Sequence, residues 1–176
     1  GEVPITRKVR SLGIIVRTNS NVHISDQNKK RIFNANKVDY IEKSLQSLVF
    51  SINSFKKKFK DFKISLTIVD QSNDETVLKK FDKIFLELDF KVKIVPFDKN
   101  EYKNEINLDY NKDVFGNLSS LLKCFNIAKN KTDDLTFFLE DDYLHKESLI
   151  EEMIMTYERV SSQIKKELLL VPADYP

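Results

Sequence analysis

Short apolar runs alternate with amphipathic helical patterns along almost the whole of this 176-residue chain. Five apolar runs predict buried strands, at residues 13–17, 64–69, 90–95, 135–139 and 168–171. Apolar residues at three- and four-residue spacing predict four helices, one following Asp39, one over residues 76–88, one opening at Gly116-Asn117 and one over residues 147–164. Because strands joined through helices form right-handed crossovers, this alternation predicts an α/β fold, a three-layer αβα sandwich with a mainly parallel, Rossmann-like sheet.

Composition limits the kinds of protein that this sheet can belong to. Hydrophobic residues make up 41% and charged residues 32%, which predicts one soluble domain over residues 1–176. The net charge of +2 argues against nucleic acid as a partner. No apolar run is long enough for a transmembrane segment, and Cys124, expected in the core, is the single cysteine. A cytoplasmic location is therefore expected, with a peripheral position at the inner face of a membrane as its variant.

Polar clusters follow three of the predicted strands, at the point where each strand ends. They are Arg17-Thr18-Asn19, Asp70-Gln71-Ser72 and Glu140-Asp141-Asp142. In a parallel sheet these ends meet at one edge, where ligands bind. Three consecutive carboxylates repel one another unless solvent or a cation offsets them, and hard oxygen ligands suit Mg²⁺ or Mn²⁺. The sequence therefore predicts a metal site at this edge, where the metal would hold a phosphate.

The order of these motifs resembles the nucleotide-binding half of a family 2 glycosyltransferase with the type A (GT-A) fold. The resemblance is carried by Val-Asp70-Gln-Ser72-Asn-Asp74, by Gly-Asn117 and by Phe-Leu-Glu140-Asp-Asp142. The family typically has Ile/Val-Asp-Asp-Gly-Ser-x-Asp in the first of these places and Asp-x-Asp in the last. Here Gln71-Ser72-Asn73 replaces Asp-Gly-Ser, and Glu140 replaces the first acid of the metal motif.

The resemblance implies a function and a role for each cluster. Thr18 and Asn19 would line the base pocket, Asp70 would contact the base or ribose, and Asp142 would bind the Mn²⁺ or Mg²⁺ that bridges the diphosphate. The remaining expected site residues are Glu140, acting on the metal, and Arg17, Ser72, Asn117 and Asp141, acting on the nucleotide sugar. The implied reaction transfers a sugar, with inversion, from a UDP- or GDP-linked donor to a hydroxyl of a glycan, lipid-linked or protein acceptor.

The catalytic base is the part of the family pattern that this sequence does not supply clearly. Family members carry a base carboxylate well beyond the metal motif, and this sequence ends at Pro176. Asp174 is the late acid nearest to a predicted strand and is the candidate base. The expectation is that the chain is a donor-binding core and that the base and acceptor region lie outside it.

Each motif also has a plainer interpretation. Asp141 or Asp142 would serve as the N-cap of a helix starting near Lys146, and Asn73 or Asp74 would cap the second helix. His145 is either a metal ligand or a solvent-exposed residue at a helix start. The lysines of residues 56–60 form a solvated helix end, or else contact anionic lipid or an acidic partner.

Two other function classes stay open. A metal-dependent nucleotidyltransferase or phosphatase would use the same carboxylates, although the chain has no Gly-rich phosphate loop and no Asp-x-Asp-x-Thr pattern. A non-catalytic domain that binds a sugar nucleotide, or that mediates assembly, is the other alternative.

Overall fold

The computed structural model describes residues 4–20, 35–72, 74–106, 112–131 and 133–171. The strands of this part of the chain are β1 (Ser11–Thr18), β2 (Lys63–Asp70), β3 (Lys93–Pro96) and β4 (Leu135–Glu140). Its helices are α1 (Lys37–Lys58), α2 (Glu75–Phe85), α3 (Lys112–Lys129) and α4 (Leu149–Ile164), with a short 3₁₀ helix at Lys99–Tyr102. The strands lie in the order β3-β2-β1-β4, and every neighbouring pair is parallel. The predicted α/β class with a mainly parallel sheet is confirmed.

Helices lie on both faces of the sheet. On one face α1, α2 and α4 pack around buried side chains that include Ile14, Leu66, Leu48, Phe81 and Ile150. On the other face α3 and the 3₁₀ helix pack through Phe115, Tyr102 and Cys124 against Ile15 and Val69 of the sheet. Cys124 lies in the core as predicted, and burial raises the pKa of its thiol to about 11.

Two helices begin at capping side chains. The Asn36 side chain accepts a hydrogen bond from the Asp39 amide at 3.0 Å, and the Asp39 carboxylate accepts one from the Asn36 amide at 3.3 Å. This reciprocal capping box starts α1 two residues before Asp39. The Asp74 side chain accepts from the amides of Thr76 and Val77 and starts α2. Asp74 is therefore a helix cap, whereas Asn73 lies outside the described residues.

The third strand and the third helix have different limits from those predicted. The third strand starts at Lys93 rather than at residue 90 and includes Pro96, which a strand tolerates at its end on the edge of a sheet. The third helix starts at Lys112, so Gly116 and Asn117 lie inside it. Burial of Phe115 against the sheet offsets the roughly 1 kcal/mol that a helical glycine costs relative to alanine.

The fifth predicted strand is wrong. Residues 168–171 alternate as a strand does, with Leu168 and Leu170 against the core and Leu169 and Val171 exposed, but they pair with no strand of the described chain. The reason is the position of α4, which lies on the same face as α1. With α4 on that face, a parallel strand beyond β4 would complete a crossover of the opposite hand to β1-α1-β2. About 98% of crossovers between parallel strands are right-handed, so a fifth strand at that place is disfavoured.

The fourth strand was predicted at the right place but with too much burial. Within the described chain β4 pairs with β1 alone and forms an edge of the sheet. Its apolar side chains are only half-buried, and Phe138 is 38% exposed, edge-to-face with Phe125 of α3 at 5.1 Å between ring centroids. An apolar run predicts a strand but does not distinguish a central strand from an edge strand.

Matched leucine substitutions test this difference. Leu66 on β2 is 2% exposed, whereas Leu139 on β4 is half-buried against the same core. Leu66→Ala is expected to lower the free energy of unfolding by about 2–5 kcal/mol, and Leu139→Ala by clearly less, because a partly open site leaves no closed cavity. Urea denaturation measures both, and equal losses would contradict the edge position of β4.

Arg7 joins the amino-terminal segment to two distant parts of the fold. Its guanidinium binds the carboxylates of Asp134, before β4, and Glu167, after α4, each at 2.8 Å. Glu167 also accepts a hydrogen bond from the Tyr157 hydroxyl. The Arg7 hydrogen bonds hold the pKa values of both carboxyls below their usual range.

Low pH should therefore destabilise the fold by protonating the two carboxylates that bind Arg7. Because the folded-state pKa values of Asp134 and Glu167 are depressed, their contribution is present above the usual carboxyl pKa and is lost as pH falls through the depressed values. The urea midpoint of the native chain should fall more between about pH 7 and about pH 3 than that of Arg7→Gln. Equal falls in the two proteins would show that these contacts do not contribute.

Candidate functional site

The ends of three strands meet at the carboxyl edge of the sheet. The β1–β2 register places Thr18 beside Asp70, and the β1–β4 register places Arg17 beside Glu140. The strand order reverses between β1 and β4, since the chain leaves β1 for β2 on one side and later returns to β4 on the other. Such a switch point is where open parallel sheets form their ligand crevices. The three clusters are therefore brought together, at the expected place.

Asp70 is at the centre of a buried polar cluster. Its carboxylate is fully buried and accepts hydrogen bonds from the Thr18 hydroxyl at 2.7 Å and the Ser72 hydroxyl at 2.9 Å. The Ser20 hydroxyl donates to that of Ser72 at 2.7 Å. The predicted site residues Thr18, Asp70 and Ser72 thus contact one another, and these contacts join the chain segments that follow β1 and β2.

A pair of amide side chains lies next to this cluster. The Asn19 side-chain amide donates to the side-chain oxygen of Gln71 at 3.1 Å, and the backbone amide of Gln71 donates to the Thr18 carbonyl at 2.9 Å. Both side chains are half-buried, so they are accessible from the crevice. An amide side chain carries a hydrogen-bond donor and an acceptor together, and it can therefore pair with the donors and acceptors of a nucleobase edge.

Asp141, directly after β4, contacts the end of β1 and the start of α1. Its carboxylate accepts a hydrogen bond from the backbone amide of Asn19 at 2.9 Å and forms an ion pair with Lys37 of α1 at 2.6 Å. The residue is 7% exposed, and burial raises the pKa of its carboxyl although Lys37 acts in the opposite direction. Asp141 therefore holds the end of β1 and the start of α1 in place.

Glu140 points to the other face of the sheet and is also paired. The Arg17 guanidinium forms an ion pair with Glu140 and hydrogen bonds with the Asn117 side chain and, at 3.1 Å, with the Ser120 hydroxyl. The Arg17 side chain is 15% exposed, so α3 and β4 enclose it. Asn117 consequently contacts Arg17 from within α3.

Glu140, Asp141 and Asp142 form an acidic tip after β4, and Asp142 is the acid of this tip that forms no ion pair in the described part of the chain. Asp142 is also exposed. His145, three residues further on, is half-buried, and burial lowers the pKa of its imidazole to about 4. The prediction of a solvent-exposed histidine is therefore wrong, because the backbone amide of His145 bonds to Ser47 of α1 and draws the residue inward.

The helix-cap interpretation of the acidic tip is also wrong. The helix after β4 starts at Leu149, and Ser148 occupies its cap position. Asp141 and Asp142 lie several residues before this helix and form no capping hydrogen bond with it. The carboxylates at the end of β4 therefore need another explanation.

Asp142 is the one carboxylate of the tip that could bind a divalent cation without losing an ion pair in the described chain. Arg17 offsets Glu140 and Lys37 offsets Asp141, which leaves the charge of Asp142 as the surplus. Among the described residues no group of three or more His, Cys, Asp or Glu side chains forms a preformed metal site. Magnesium ions usually keep several waters and bind through one or two carboxylates plus substrate phosphates, so one free carboxylate suits such an ion.

Sequence patterns missed several of the residues that build this site. Lys37, Ser20 and Ser120 each hold a predicted site residue in place, yet none of them lies in a recognisable motif. Gln71 lies within the polar cluster after β2 but was given no role of its own. Lys37 has one unusual feature in the sequence, a basic side chain in the first turn of a helix, where acidic residues are favoured. The candidate base Asp174 lies outside the described residues.

Comparisons of this chain with protein-family models, with curated proteins and with solved structures find no match. Among the described residues, no helix has the length and apolarity to cross a membrane.

The two neighbouring aspartates should respond differently to substitution. Asp141→Ala leaves the half-buried Lys37 ammonium and the Asn19 amide without their partner, and is expected to cost about 2–4 kcal/mol of unfolding free energy. Asp142→Ala removes an exposed carboxylate and should leave stability within about 0.5 kcal/mol of the native value. Urea unfolding distinguishes them, and equal effects would contradict the separation of roles at the tip.

Proposed function

We propose that this chain is the nucleotide-sugar-binding core of a metal-dependent glycosyltransferase with the type A fold, similar to family 2. One observation carries the proposal. At the switch point of a parallel sheet, the only acid of the tip without a cationic partner in the described chain is the exposed Asp142. Asp142 occupies the place of the metal-binding acid in the family motif.

The balance of charge at the tip favours a diphosphate ligand. Three unpaired carboxylates would repel a dianionic diphosphate, but Arg17 and Lys37 reduce the tip to one surplus negative charge. A divalent cation on Asp142 would reverse the sign of that surplus, and when bound it stabilises the charge that builds on the leaving diphosphate. The paired acids therefore serve to hold the crevice, and Asp142 serves to bind the cation.

The rest of the nucleotide would lie over the segments after β1 and β2. The buried Thr18–Asp70–Ser72 cluster holds these segments together. The Asn19–Gln71 amide pair lies beside it and offers hydrogen-bonding groups to a base. In this arrangement Asp70 orients the pocket through Thr18 and Ser72, since its own carboxylate is fully buried.

Isothermal titration with UDP, GDP and their sugar conjugates, with and without Mn²⁺, tests the proposal. Nucleotide should bind more tightly with Mn²⁺, and Asp142→Asn should reduce the affinity at least about tenfold by removing the metal ligand. Asp82→Asn, which neutralises an exposed carboxylate of α2, is the matched control and should bind as the native chain does.

Two results would contradict the proposal. One is the absence of binding by any of these nucleotides with Mn²⁺ present, which would favour an assembly role. The other is native affinity in Asp142→Asn. Tight binding of a nucleoside triphosphate, with release of its β- and γ-phosphates as pyrophosphate when a sugar phosphate is added, would instead identify a nucleotidyltransferase.

A further inference from the structure

The amino-terminal edge of the sheet, opposite the crevice, carries a concentration of positive charge. We define the basic edge as residues 56–63, which join α1 to β2, and residues 86–93, which lead into β3. Lys56 forms an ion pair with Asp89 at 2.8 Å and lies over the ring of Phe90 at 5.6 Å. These contacts place the two segments side by side.

Lysines outnumber acids on the basic edge by seven to three. Asp89 is occupied by Lys56, and Lys58 pairs with Glu151 of α4 at 2.6 Å. Lys57 lines a groove together with Glu147, just before α4, and Glu151 of α4. The four remaining lysines are exposed and form no ion pair within the described chain, namely Lys60, Lys63, Lys91 and Lys93. The other two acids of the edge are Asp61 and Glu87, so four lysines without an ion pair stand against two acids and the surplus charge is positive.

Aromatic rings lie between these lysines. Phe59 stacks on buried Phe55 with ring centroids 4.6 Å apart, and Phe62 meets Phe55 edge-on at 5.0 Å. Phe59, Phe62 and Phe90 are half-buried, so each ring has one side in the core and another at the surface. Lysines interspersed with partly exposed rings are typical of surfaces that lie at a membrane interface.

Charge is separated along the strands. The surplus carboxylate Asp142 lies at the carboxyl edge, and the unpaired lysines lie at the opposite edge. The eight residues of β2 span about 25 Å between the two edges. A negatively charged surface would attract the basic edge, and because the crevice lies at the opposite edge, it would stay open to solution.

We propose that the basic edge docks on the surface of an anionic phospholipid bilayer. The edge contains no arginine, whereas nucleic-acid surfaces rely on arginine for paired contacts with phosphates and bases. Exposed lysines beside partly buried phenylalanines match a layer of anionic lipid headgroups over apolar acyl chains. This docking is independent of the donor site, because it uses no residue of the crevice.

Vesicle flotation tests the docking. The native chain should float with vesicles of phosphatidylcholine containing about one third phosphatidylglycerol, should not float with phosphatidylcholine alone, and should be released by about 0.5 M salt. The combined variant Lys60→Glu, Lys63→Glu, Lys91→Glu should lose binding about tenfold or more. The control Lys43→Glu, Lys79→Glu, Lys103→Glu has the same net charge at exposed positions elsewhere and should keep native binding.

A fluorescent reporter gives a second measurement that does not depend on charge reversal. The chain has no tryptophan, so Phe62→Trp introduces one at the basic edge and Phe50→Trp introduces one on the exposed side of α1. Anionic vesicles should shift the emission of Phe62→Trp to shorter wavelength and leave that of Phe50→Trp unchanged. Equal binding by the two lysine variants, flotation with neutral vesicles, or binding to duplex DNA without vesicle binding would overturn the proposal.

Discussion

The ion pair between Asp141 and Lys37 is the contact on which the crevice depends. It links the end of β4 to the start of α1, and the same carboxylate holds the amide of Asn19 at the end of β1. Three elements that are distant in sequence thus share one buried carboxylate. A buried charge is costly unless it is paired and fully hydrogen-bonded, so these elements are constrained to one arrangement.

The ion pairs of Asp141 with Lys37 and of Glu140 with Arg17 also reduce the negative charge of the tip. With Lys37 on Asp141 and Arg17 on Glu140, a tip of three acids presents one surplus charge to solution. The paired acids connect the sheet to α1 on one face and to α3 on the other. In the proposed function, Glu140 and Asp141 support the structure and Asp142 binds the cation, so substituting any one of them should reveal only its own role.

Sequence patterns predicted the positions of the strands and helices better than their burial and pairing. The β1, β2 and β4 runs, the cap at Asp74 and the buried Cys124 follow from local apolar patterning and capping chemistry, which act over a few residues. The fifth strand and the burial of β4 depend on which face α4 packs against, a property of the whole chain. Likewise, the three acids of the tip are equivalent in sequence, and only the positions of Lys37 and Arg17 distinguish them.

Anomalous diffraction from crystals containing Mn²⁺ and UDP or GDP would locate the metal and the diphosphate together. We expect one manganese ion bound by the Asp142 carboxylate and by the diphosphate, while Glu140 stays paired with Arg17 and Asp141 stays paired with Lys37. Manganese at another place, or Glu140 and Asp141 released from their partners to bind it, would show that Asp142 does not have the proposed role.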